Sequence, residues 1–473
     1  MTETLAARIT VASDRPSPRP LGLAVLVMGT CLIVLDFFIV NVALPSLQTD
    51  LHAGPATLEW VVAGYALTSA VFLLAAGRLG DRFGRRRMFS LGVAVFTAAS
   101  GLCGLAPNAS ILVAARLLQG VGGAMISPSV LALIGVMYAG AARARAIGIY
   151  ATSMGLAAAS GQLLGGLLLH ANIAGLGWRT VFLINVPIGA LAIACSPRLI
   201  PESRSPETSP LDLAGLLLAT GSLTALVLPL VDGRAAGWPW WTWASLAAAP
   251  VLATDFVLRQ RSISRRGGVP LLDPVLFTIR SFTAGMLTQF GFWAGQASYF
   301  LVLALYLQLG RHMSALESGA VFTILAAAYL VSSMRAPALV ARWGRNVIVG
   351  GALALAAGHL ALLAAVEAIG THGVVLWLAP GLVLAGTGMG LCLAPITATV
   401  LATLDPRRAG AVSGALSTTQ QVGNAVGVAV VGAVFFGSTH AGDAHAFALS
   451  LIVLALLLVS VAASARRIPL AQS

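Results

Sequence analysis

The sequence predicts an all-α integral membrane protein with fourteen transmembrane helices, and two observations carry that prediction. The first is composition: 58% of the 473 residues are hydrophobic, only 9% are charged, and the mean hydropathy is +0.91. Soluble globular chains carry roughly 25% charged residues, so this chain belongs in a lipid bilayer. The second is the placement of arginine, because the short cytoplasmic loops of membrane proteins collect basic residues.

Each predicted span is a run of about 20 apolar residues, the length that an α-helix needs to cross a bilayer core. In chain order the runs are 21–45, 57–77, 88–106, 110–135, 145–169, 178–199, 211–231, 240–258, 278–305, 317–340, 346–366, 374–399, 409–437 and 445–465. Residues 1–20 contain arginine, serine and proline, and we interpret them as a cytoplasmic tail before an uncleaved first span.

Arginine tests this number of spans independently of hydropathy. All but four of the 28 arginines fall in alternate loops along the chain, which we therefore expect to be cytoplasmic. The exceptions are Arg116, Arg179, Arg234 and Arg311. Interfacial tryptophans agree, because the WPWWTW cluster, 238–243, falls at the expected external start of span eight. An even number of spans places both termini in the cytoplasm.

Composition excludes several functional classes. The chain contains no lysine, so it has neither a P-loop nor a Schiff-base lysine. The net charge of +12 comes from arginines scattered over many loops, so nucleic acid is not an expected partner. The sequence shows neither histidine or cysteine clusters at metal-ligand spacing nor the hydrolase motifs HExxH and GxSxG. We expect no enzyme activity, no metal and no cofactor.

The two halves of the chain contain similar sequence motifs at corresponding positions. The loop after span two reads LGDRFGR, 79–85, and the loop after span ten reads LVARWGR, 339–345. Glycine precedes proline by five residues in spans four and twelve, at Gly123 and Pro128 and at Gly390 and Pro395. Such parallel repeats are typical of transporters whose substrate site lies between the halves near the membrane midplane.

The repeats predict three domains after the tail. Residues 21–199 are expected to form an N-terminal six-helix bundle, and 278–465 a C-terminal one. Spans seven and eight, at 211–258, are expected to be a two-helix insert between them.

Asp36 is a carboxylate deep inside an apolar run, where a charge costs roughly 2.5–3.5 kcal/mol. At 1.5 Å per residue it lies about 22 Å from the inner edge of span one, and Arg116 lies about 9 Å from the outer edge of span four. These depths nearly coincide in a core of about 30 Å, so we expect the two side chains to meet or to share a water-filled cavity. The pair is a candidate for proton coupling, and a permanent structural ion pair is the alternative.

Four motifs together resemble one family. GRLGDRFGRR, 77–86, resembles the loop signature of the major facilitator superfamily, and RLLQGVGGA, 116–124, resembles its fourth-helix motif. LDFFIVNVALP, 35–45, and WRTVFLINVPIG, 178–189, resemble the fourteen-span drug:proton antiporter branch. This resemblance covers the whole chain. It implies a monomeric antiporter in a bacterial cytoplasmic membrane that exports drugs, antibiotics or amphipathic metabolites in exchange for protons.

The resemblance also implies a gate in the loop after span two. The matching positions are Gly77, Asp81, Arg82, Gly84 and Arg85. Asp81 and Arg85 are expected to latch the two halves together in the outward-facing state. Anchoring by basic residues is the alternative, and it accounts for the arginines but not for the aspartate or the glycines.

One motif departs from the antiporter branch. The fifth-helix motif of that branch ends in Gly-Pro followed two residues later by Gly-Gly, whereas here Gly161 is followed by Gln162, then by Gly165 and Gly166. The missing proline leaves proton-coupled nutrient uptake as an alternative function. With Gly155, these glycines are expected either to allow close helix packing or to take part in coupling.

Polar and aromatic side chains within the spans are candidates for the substrate pathway, because ligand sites combine apolar surface with a few polar groups. They are Phe38, Asn41, Tyr65, Gln162, Trp293, Gln296, Tyr299, Gln420 and Asn424. Packing is the alternative role for each of them. His359 is a further candidate titrating group, and Glu59 and Glu367 are expected to be solvated at outer span ends. A non-transporting receptor or scaffold is the remaining alternative, and Asp36 and the gate loop argue against it.

Overall fold

The computed structural model describes residues 20–204, 211–402 and 409–468, and its regular secondary structure within these ranges is entirely helical. The main helices are α1 (Pro20–Asp50), α2 (Pro55–Phe83), α3 (Arg85–Gly104), α4 (Ala109–Met137), α5 (Gly140–Ala171), α6 (Thr180–Leu183), α7 (Asn185–Leu199), α8 (Leu213–Asp232), α9 (Trp240–Arg265), α10 (Arg280–Leu305), α11 (Ala315–Trp343), α12 (Asn346–Ile369), α13 (Ala379–Ala402), α14 (Ala409–Ser438) and α15 (Asp443–Ala465).

The described ranges hold 13 helices that are long and apolar enough to cross a membrane, or up to 14 when the bent α5 is included as one span. In this total, 177–199 forms a single span. The predicted all-α membrane fold is therefore confirmed. The predicted tail, apart from Pro20, and Arg407 and Arg408 lie outside the described residues.

Polar caps fix the beginnings of three helices. The Asn108 side chain accepts a hydrogen bond from the amide of Ile111 at 3.0 Å at the start of α4. Ser314 and Glu317 form a reciprocal capping box before α11. Asp212 accepts from the amide of Gly215 at 2.9 Å before α8. These side chains satisfy amides that the first helical turn leaves without intrahelical partners.

Two spans are not single straight helices. The span predicted at 178–199 is present as 177–199, and its regular α-helical hydrogen bonding lapses at Ile184, between α6 and α7. Pro187 lies in the first turn of α7 and has no N–H to donate to the carbonyl of Leu183, so regular bonding fails there. In α5, the segments 145–158 and 160–171 meet at 44°.

The helices pack in two groups. In the N-terminal group, α1–α7, helix α1 contacts α4, α5 and α7, while α4 packs against α2 and α3. In the C-terminal group, α10–α15, helix α10 contacts α14 and α15, and α13 packs against α11 and α12. The groups meet mainly where α5 packs on α11 and where α2 packs on α14. The insert helices α8 and α9 pack on each other, and α8 touches both α2 and α14.

The loops lie at two opposite ends of the helices. We call the end with the turn between α1 and α2 the Gly54 side, and there Asp50 accepts hydrogen bonds from Trp178 and Arg179 in the turn before α6. The opposite end, with the turn between α2 and α3, is the Gly84 side. Most of the arginines whose positions are described lie at helix ends or in loops on the Gly84 side.

Candidate functional site

The centre of the candidate site is an ion pair that is sealed from solvent. The side chains of Asp36 in α1 and Arg116 in α4 are both 0% exposed, and Arg116 Nη1 lies 2.5 Å from Asp36 Oδ2. Arg116 Nε donates to the carbonyl of Val61 in α2 at 2.9 Å, and the guanidinium lies 4.5 Å from the ring centroid of Tyr65. The planar guanidinium has five donors, so it can bind a carboxylate, a carbonyl and an aromatic face together.

Two amides that the sequence analysis did not identify complete this cluster. Gln119 Nε2 donates to Asp36 Oδ1 at 2.8 Å, and Gln119 Oε1 accepts from Arg116 Nη1 at 2.7 Å. Asn185 Nδ2 donates to Asp36 Oδ1 at 3.1 Å and to Ser100 Oγ at 3.0 Å. We call Asp36, Arg116, Gln119 and Asn185 the coupling cluster. It joins α1, α4 and the start of α7.

Sequence spacing could have identified Gln119 but not Asn185. Gln119 lies three residues after Arg116 and therefore on the same helix face. Asn185 reaches the cluster because α7 packs against α1 and α3, and this position depends on tertiary structure.

Glycines in α4 let the arginine approach α2. A Cβ at Gly120 would lie 2.4 Å from the carbonyl oxygen of Tyr65, and a Cβ at Gly123 would lie 2.9 Å from the Tyr65 hydroxyl. Only glycine permits such contact between neighbouring helices, as small residues do in membrane interfaces. The glycine-rich stretch after Arg116 therefore sets the distance at which its side chain meets Val61.

The coupling cluster holds one carboxylate and one guanidinium in surroundings that water does not reach. Removal of one partner from a buried ion pair leaves an uncompensated charge, at a cost of about 3–5 kcal/mol. Arg116 Nη2 and Asn185 Oδ1 are buried without a hydrogen-bond partner within the described residues. The arrangement can therefore change its charge and its hydrogen bonds when Asp36 gains or loses a proton.

In the candidate gate loop, the structure pairs Asp81 with Arg85 inside the N-terminal group. Arg85 donates to Asp81 Oδ1 from Nε at 3.1 Å and from Nη2 at 2.9 Å. Gly84 has φ of +113°, and a Cβ there would lie 2.7 Å from a carboxylate oxygen of Glu202. Glycine is therefore required at this turn. Arg82 is exposed, and a Cβ at Gly77 would meet no atom within 4 Å.

The α5 glycines lie against two different helices. A Cβ at Gly161 or Gly165 would lie 2.9 Å from side-chain atoms of α1, and a Cβ at Gly166 would lie 2.6 Å from the carbonyl oxygen of Ala315 in α11. A Cβ at Gly155 would lie 3.1 Å from the hydroxyl of Tyr329, also in α11. These glycines thus place α5 between the two groups of helices.

Several candidate pathway residues lie where the two groups meet. The rings of Phe38 in α1 and Phe300 in α10 pack edge to face, with centroids 4.9 Å apart. Gln162 is buried, and neither polar atom of its amide has a hydrogen-bond partner within the described residues. It lines a small cavity together with Phe300, Phe322 and Tyr329.

Other candidates lie in α1, α10 and α14. Trp293 and Gln296 in α10 are buried, and the indole nitrogen and the amide oxygen have no hydrogen-bond partner within the described residues. Asn424 in α14 donates to Gln421 at 3.0 Å. In the same helix Gln420 is half-buried. Asn41 donates to two carbonyls of its own helix, α1.

Three residues, Tyr65, Tyr299 and His359, are packed inside one group of helices rather than at the interface, and a fourth, Glu59, is buried rather than solvated. Tyr65 lies in contact with the coupling cluster, as given above. Tyr299 and His359 pack on each other inside the C-terminal group, with ring centroids 4.5 Å apart. The prediction that Glu59 is solvated is wrong, because its side chain is 0% exposed, whereas Glu367 is exposed as expected. Glu59 is covered by helices on the Gly54 side that the sequence alone could not bring together.

Across 20–204, 211–402 and 409–468, no three histidine, cysteine or carboxylate side chains come together as metal ligands would. The polar groups at the centre are amides and one ion pair, which suit protons and neutral hydrogen-bonding ligands better than metals.

Two solved structures share this fold at low sequence identity. A POT family transporter in complex with a thioalcohol-conjugated peptide matches with a TM-score of 0.69 and 13% identity, covering 96% of this chain and 98% of that chain. An auto-inhibited POT family peptide transporter matches with a TM-score of 0.68 and 17% identity, covering 95% and 97%. At this identity the likeness concerns the fold alone.

Three relatives with higher identity come from Streptomyces and Mycobacterium species. The probable actinorhodin transporter of Streptomyces coelicolor is 38% identical over 419 residues, covering 88% of this chain and 72% of the relative. The puromycin resistance protein pur8 of Streptomyces alboniger is 36% identical, covering 91% and 84%. The multidrug resistance protein Stp of Mycobacterium tuberculosis is 35% identical, covering 86% and 74%. The Major Facilitator Superfamily model matches residues 26–428, and the chain belongs to that superfamily.

Proposed function

We propose that this protein is a secondary active transporter that exports an antibiotic, a drug or an amphipathic metabolite in exchange for protons. The observation that carries the proposal is the coupling cluster, in which the carboxylate of Asp36 pairs with Arg116 at 2.5 Å with no exposed side-chain surface. Such a carboxylate within a membrane span marks an ion or proton pathway by default. The named relatives support export, because they are antibiotic transporters and resistance proteins.

Because the coupling cluster is buried, protonation of Asp36 requires a conformational change. A proton cannot reach Asp36 while α1, α4 and α7 enclose it, so uptake and release require the helices to move. Alternating access supplies that movement, because rocking of one group of helices against the other opens a central site to each face in turn. The protonation of Asp36 would then alternate with the opening of the two faces.

We further infer the orientation and the domains. Arginine-rich loops on the Gly84 side support a cytoplasmic Gly84 side and cytoplasmic termini, in the plasma membrane of a bacterium. The packing supports a division into 21–199, 211–258 and 278–465, with the insert beside the interface. We propose that the protein acts as a monomer.

The substrate pathway is proposed at the interface of the two groups. Phe38 and Phe300 supply aromatic surface, and Gln162, Gln296 and Asn424 supply amides with buried polar atoms that have no hydrogen-bond partner among the described residues. Ligand sites combine these features, because apolar walls bind and a few polar groups orient the ligand. An amphipathic ligand with an aromatic ring system suits this lining.

Transport by purified protein in liposomes tests the proposal. With an imposed pH gradient, we expect substrate to move against its own gradient and opposite to the protons. Asp36→Asn should still fold and insert, with lower stability because Arg116 loses its charged partner, and it should abolish this uphill movement because an amide cannot cycle a proton. Asp50→Asn is the matched control, since Asp50 forms a 2.6 Å pair with Arg179 at a partly exposed position.

The same assay separates the alternatives. Substrate movement in the direction of the protons would instead indicate nutrient uptake. Binding without any transport would indicate a receptor. Normal uphill export by Asp36→Asn would contradict the role given to this carboxylate.

A further inference from the structure

Glu59 in α2 is a second buried carboxylate that the coupling cluster does not include. It lies near the Gly54 side, and its side chain is 0% exposed. Arg234, in the turn after α8, places Nη2 at 3.4 Å from Glu59 Oε1, which is long for a charge-assisted hydrogen bond. Glu59 Oε2 is buried without a hydrogen-bond partner within the described residues. One oxygen of this carboxylate is therefore free to hold a proton.

The carboxylate lies where three parts of the molecule meet. On α14, a Cβ at Gly432 would lie only 2.8 Å from Glu59 Cδ, so this glycine leaves the space that the carboxylate fills. The Arg234 guanidinium lies 5.4 Å from the ring centroid of Phe436, also in α14. The neighbouring Trp60 donates its indole N–H to Asp232 at the end of α8, at 3.0 Å. Glu59 thus touches the N-terminal group, the insert and the C-terminal group.

A comparison with a second ion pair on the same side shows that this burial is unusual. Asp50 and Arg179 form a 2.6 Å pair within the N-terminal group, and their side chains are 47% and 27% exposed. The Asp50–Arg179 pair remains in contact with water. The Glu59 carboxylate is removed from water, and its contact with Arg234 is long, at 3.4 Å. Burial of a charge with so few partners costs more free energy than the pairing returns. Stability of the fold therefore does not explain why a carboxylate lies at this junction.

We propose that Glu59 is a second proton-binding site and that its charged pair with Arg234 holds α2, the insert and α14 together on the Gly54 side. The inference rests on the proposed function and adds a gate to it. A proton bound at Oε2 converts the carboxylate to a neutral acid, and the attraction to Arg234 is lost. Arg234 keeps its charge and turns toward solvent, from which its side chain is already 25% exposed. Helices α2 and α14 can then separate.

The charged groups that face Glu59 determine how the Gly54 side responds to pH. From α8 and its turn, Arg234 favours the closed state while Glu59 is charged, and Asp232 is the other charged neighbour. From α14, the described neighbours Gly432 and Phe436 carry no charge. Acid on the Gly54 side, which we propose to be external, would therefore open that side at the moment when external protons are abundant. Proton entry and substrate release would then share one conformation.

Distance measurements between two spin labels test this gate. In a variant without cysteines, labels are attached at Thr57→Cys in the first turn of α2 and at Thr439→Cys after α14. In lipid nanodiscs, we expect the wild-type distance to lengthen as the pH falls from 8 to 4. Glu59→Gln should give the long distance at every pH, with the ratio of long to short distances raised on the order of tenfold at pH 8.

Two further variants keep the test decisive. Arg234→Gln removes the same attraction from the other partner and should also give the long distance at pH 8, which covers the case in which Glu59→Gln fails to fold. Asp50→Asn removes a carboxylate on the same side from a pair within one group, so it should keep the wild-type response. The proposal would be overturned if the distance between the labels in the wild-type protein did not change with pH. It would also be overturned if Glu59→Gln and Arg234→Gln both responded to pH as the wild type does.

This measurement needs neither substrate nor a proton gradient, so its failure can be told from failure of the proposed function. If the wild-type protein exports substrate but Glu59→Gln and Arg234→Gln respond to pH as it does, only the second proton site is lost. If the labels respond as expected but no proton-driven export is found, the transport proposal fails while the pH-sensitive contact stands.

Discussion

At the scale of single residues, Arg116 shows how one side chain organises a membrane site. It binds Asp36, the amide of Gln119 and the carbonyl of Val61, so its loss would remove a hydrogen-bond donor from polar groups on three helices and leave Asp36 without an opposite charge. An unpaired buried charge costs about 3–5 kcal/mol, which is a large part of the stability of most proteins. Structural and coupling roles of this pair therefore overlap, and a single substitution does not separate them.

A double substitution separates the two roles. Arg116→Gln alone should lower the thermal unfolding midpoint in detergent, because it leaves Asp36 charged and unpaired. Asp36→Asn combined with Arg116→Gln replaces the ion pair by neutral amides and should recover much of that stability, while uphill transport stays absent. Full transport by the double variant would show that the pair only holds α1 and α4 together.

The residues that sequence predicted well are those whose depth could be calculated. The rise of 1.5 Å per residue placed Asp36 and Arg116 at nearly one level, and the structure joins them. Glu59 lies near the end of its span, and its depth alone predicts contact with solvent. Depth does not show which other helices cover a residue, and the structure buries Glu59. Asn185 was missed for a similar reason, since the packing of α7 against α1 that brings it to Asp36 depends on tertiary structure.

At the scale of elements, α5 is the helix that both groups share. Its glycines face α1 on one side and α11 on the other, and side chains at these positions would separate the backbones. Hydropathy predicted the helix but not these faces, because lipid tails and neighbouring helices are equally apolar. The glycine spacing was the one sequence feature that indicated close packing.

Alanine substitutions in α5 test this packing. A Cβ at Gly166 would lie 2.6 Å from the carbonyl oxygen of Ala315, so Gly166→Ala should push α5 from α11 and lower the unfolding midpoint in detergent. Gly148→Ala in the same helix is the control, because a Cβ there would meet no atom within 4 Å. Alanine favours helix by up to about 1 kcal/mol, so Gly148→Ala should be neutral or stabilising. Equal effects of the two substitutions would contradict close packing at Gly166.

The start of α8 depends on a carboxylate outside the membrane-spanning segment. Burial alone would raise the pKa of Asp212, but hydrogen bonds from the Gly215 amide, Arg259 and Gln260 together hold the pKa below its ordinary value. These bonds connect the beginning of α8 to the end of α9. Ionised Asp212 therefore stabilises the insert.

This linkage predicts a pH-dependent loss of stability. Because the pKa is lowered in the folded state, the stabilisation is present above about pH 4, the ordinary carboxyl pKa, and is lost as the pH falls through the lowered value. Asp212→Asn should cost about 1 kcal/mol at pH 7, since Arg259 is partly exposed and screened, and less below pH 4. Thermal unfolding at both pH values measures this, with Asp255→Asn, an exposed position in α9, as control. A loss independent of pH would exclude ionisation of Asp212 as the cause.

At the scale of the whole molecule, the alternation of arginine and the repeated loop motifs predicted the number of spans and the pairing of the halves. They did not predict where the insert lies. Helix α8 touches both α2 and α14, and it brings Arg234 to Glu59. Sequence could not show this, because α8 is mostly apolar and its few hydroxyl side chains do not indicate which neighbouring helices it contacts.

The gate loop belongs to this scale because its proposed effect is on the balance of whole conformations. In the structure, the pair of Asp81 and Arg85 is an exposed contact between residues four apart, with side chains 43% and 25% exposed. Such a pair contributes about 0.3–0.5 kcal/mol, too little to hold two groups of helices. A latch must therefore act in a conformation where Asp81 has partners other than those seen here.

Asp81→Asn distinguishes a latch from an anchor. We expect the unfolding midpoint to change little, because only a weak pair is lost, while transport falls and substrate binding survives. If the latch contributes about 2 kcal/mol to the outward-facing state, the ratio of states changes about thirtyfold, which cysteine accessibility on the two sides can measure. Arg87→Gln removes an exposed charge from the same loop and should leave that ratio unchanged. Equal accessibility with and without Asp81 would show that the loop only anchors the topology.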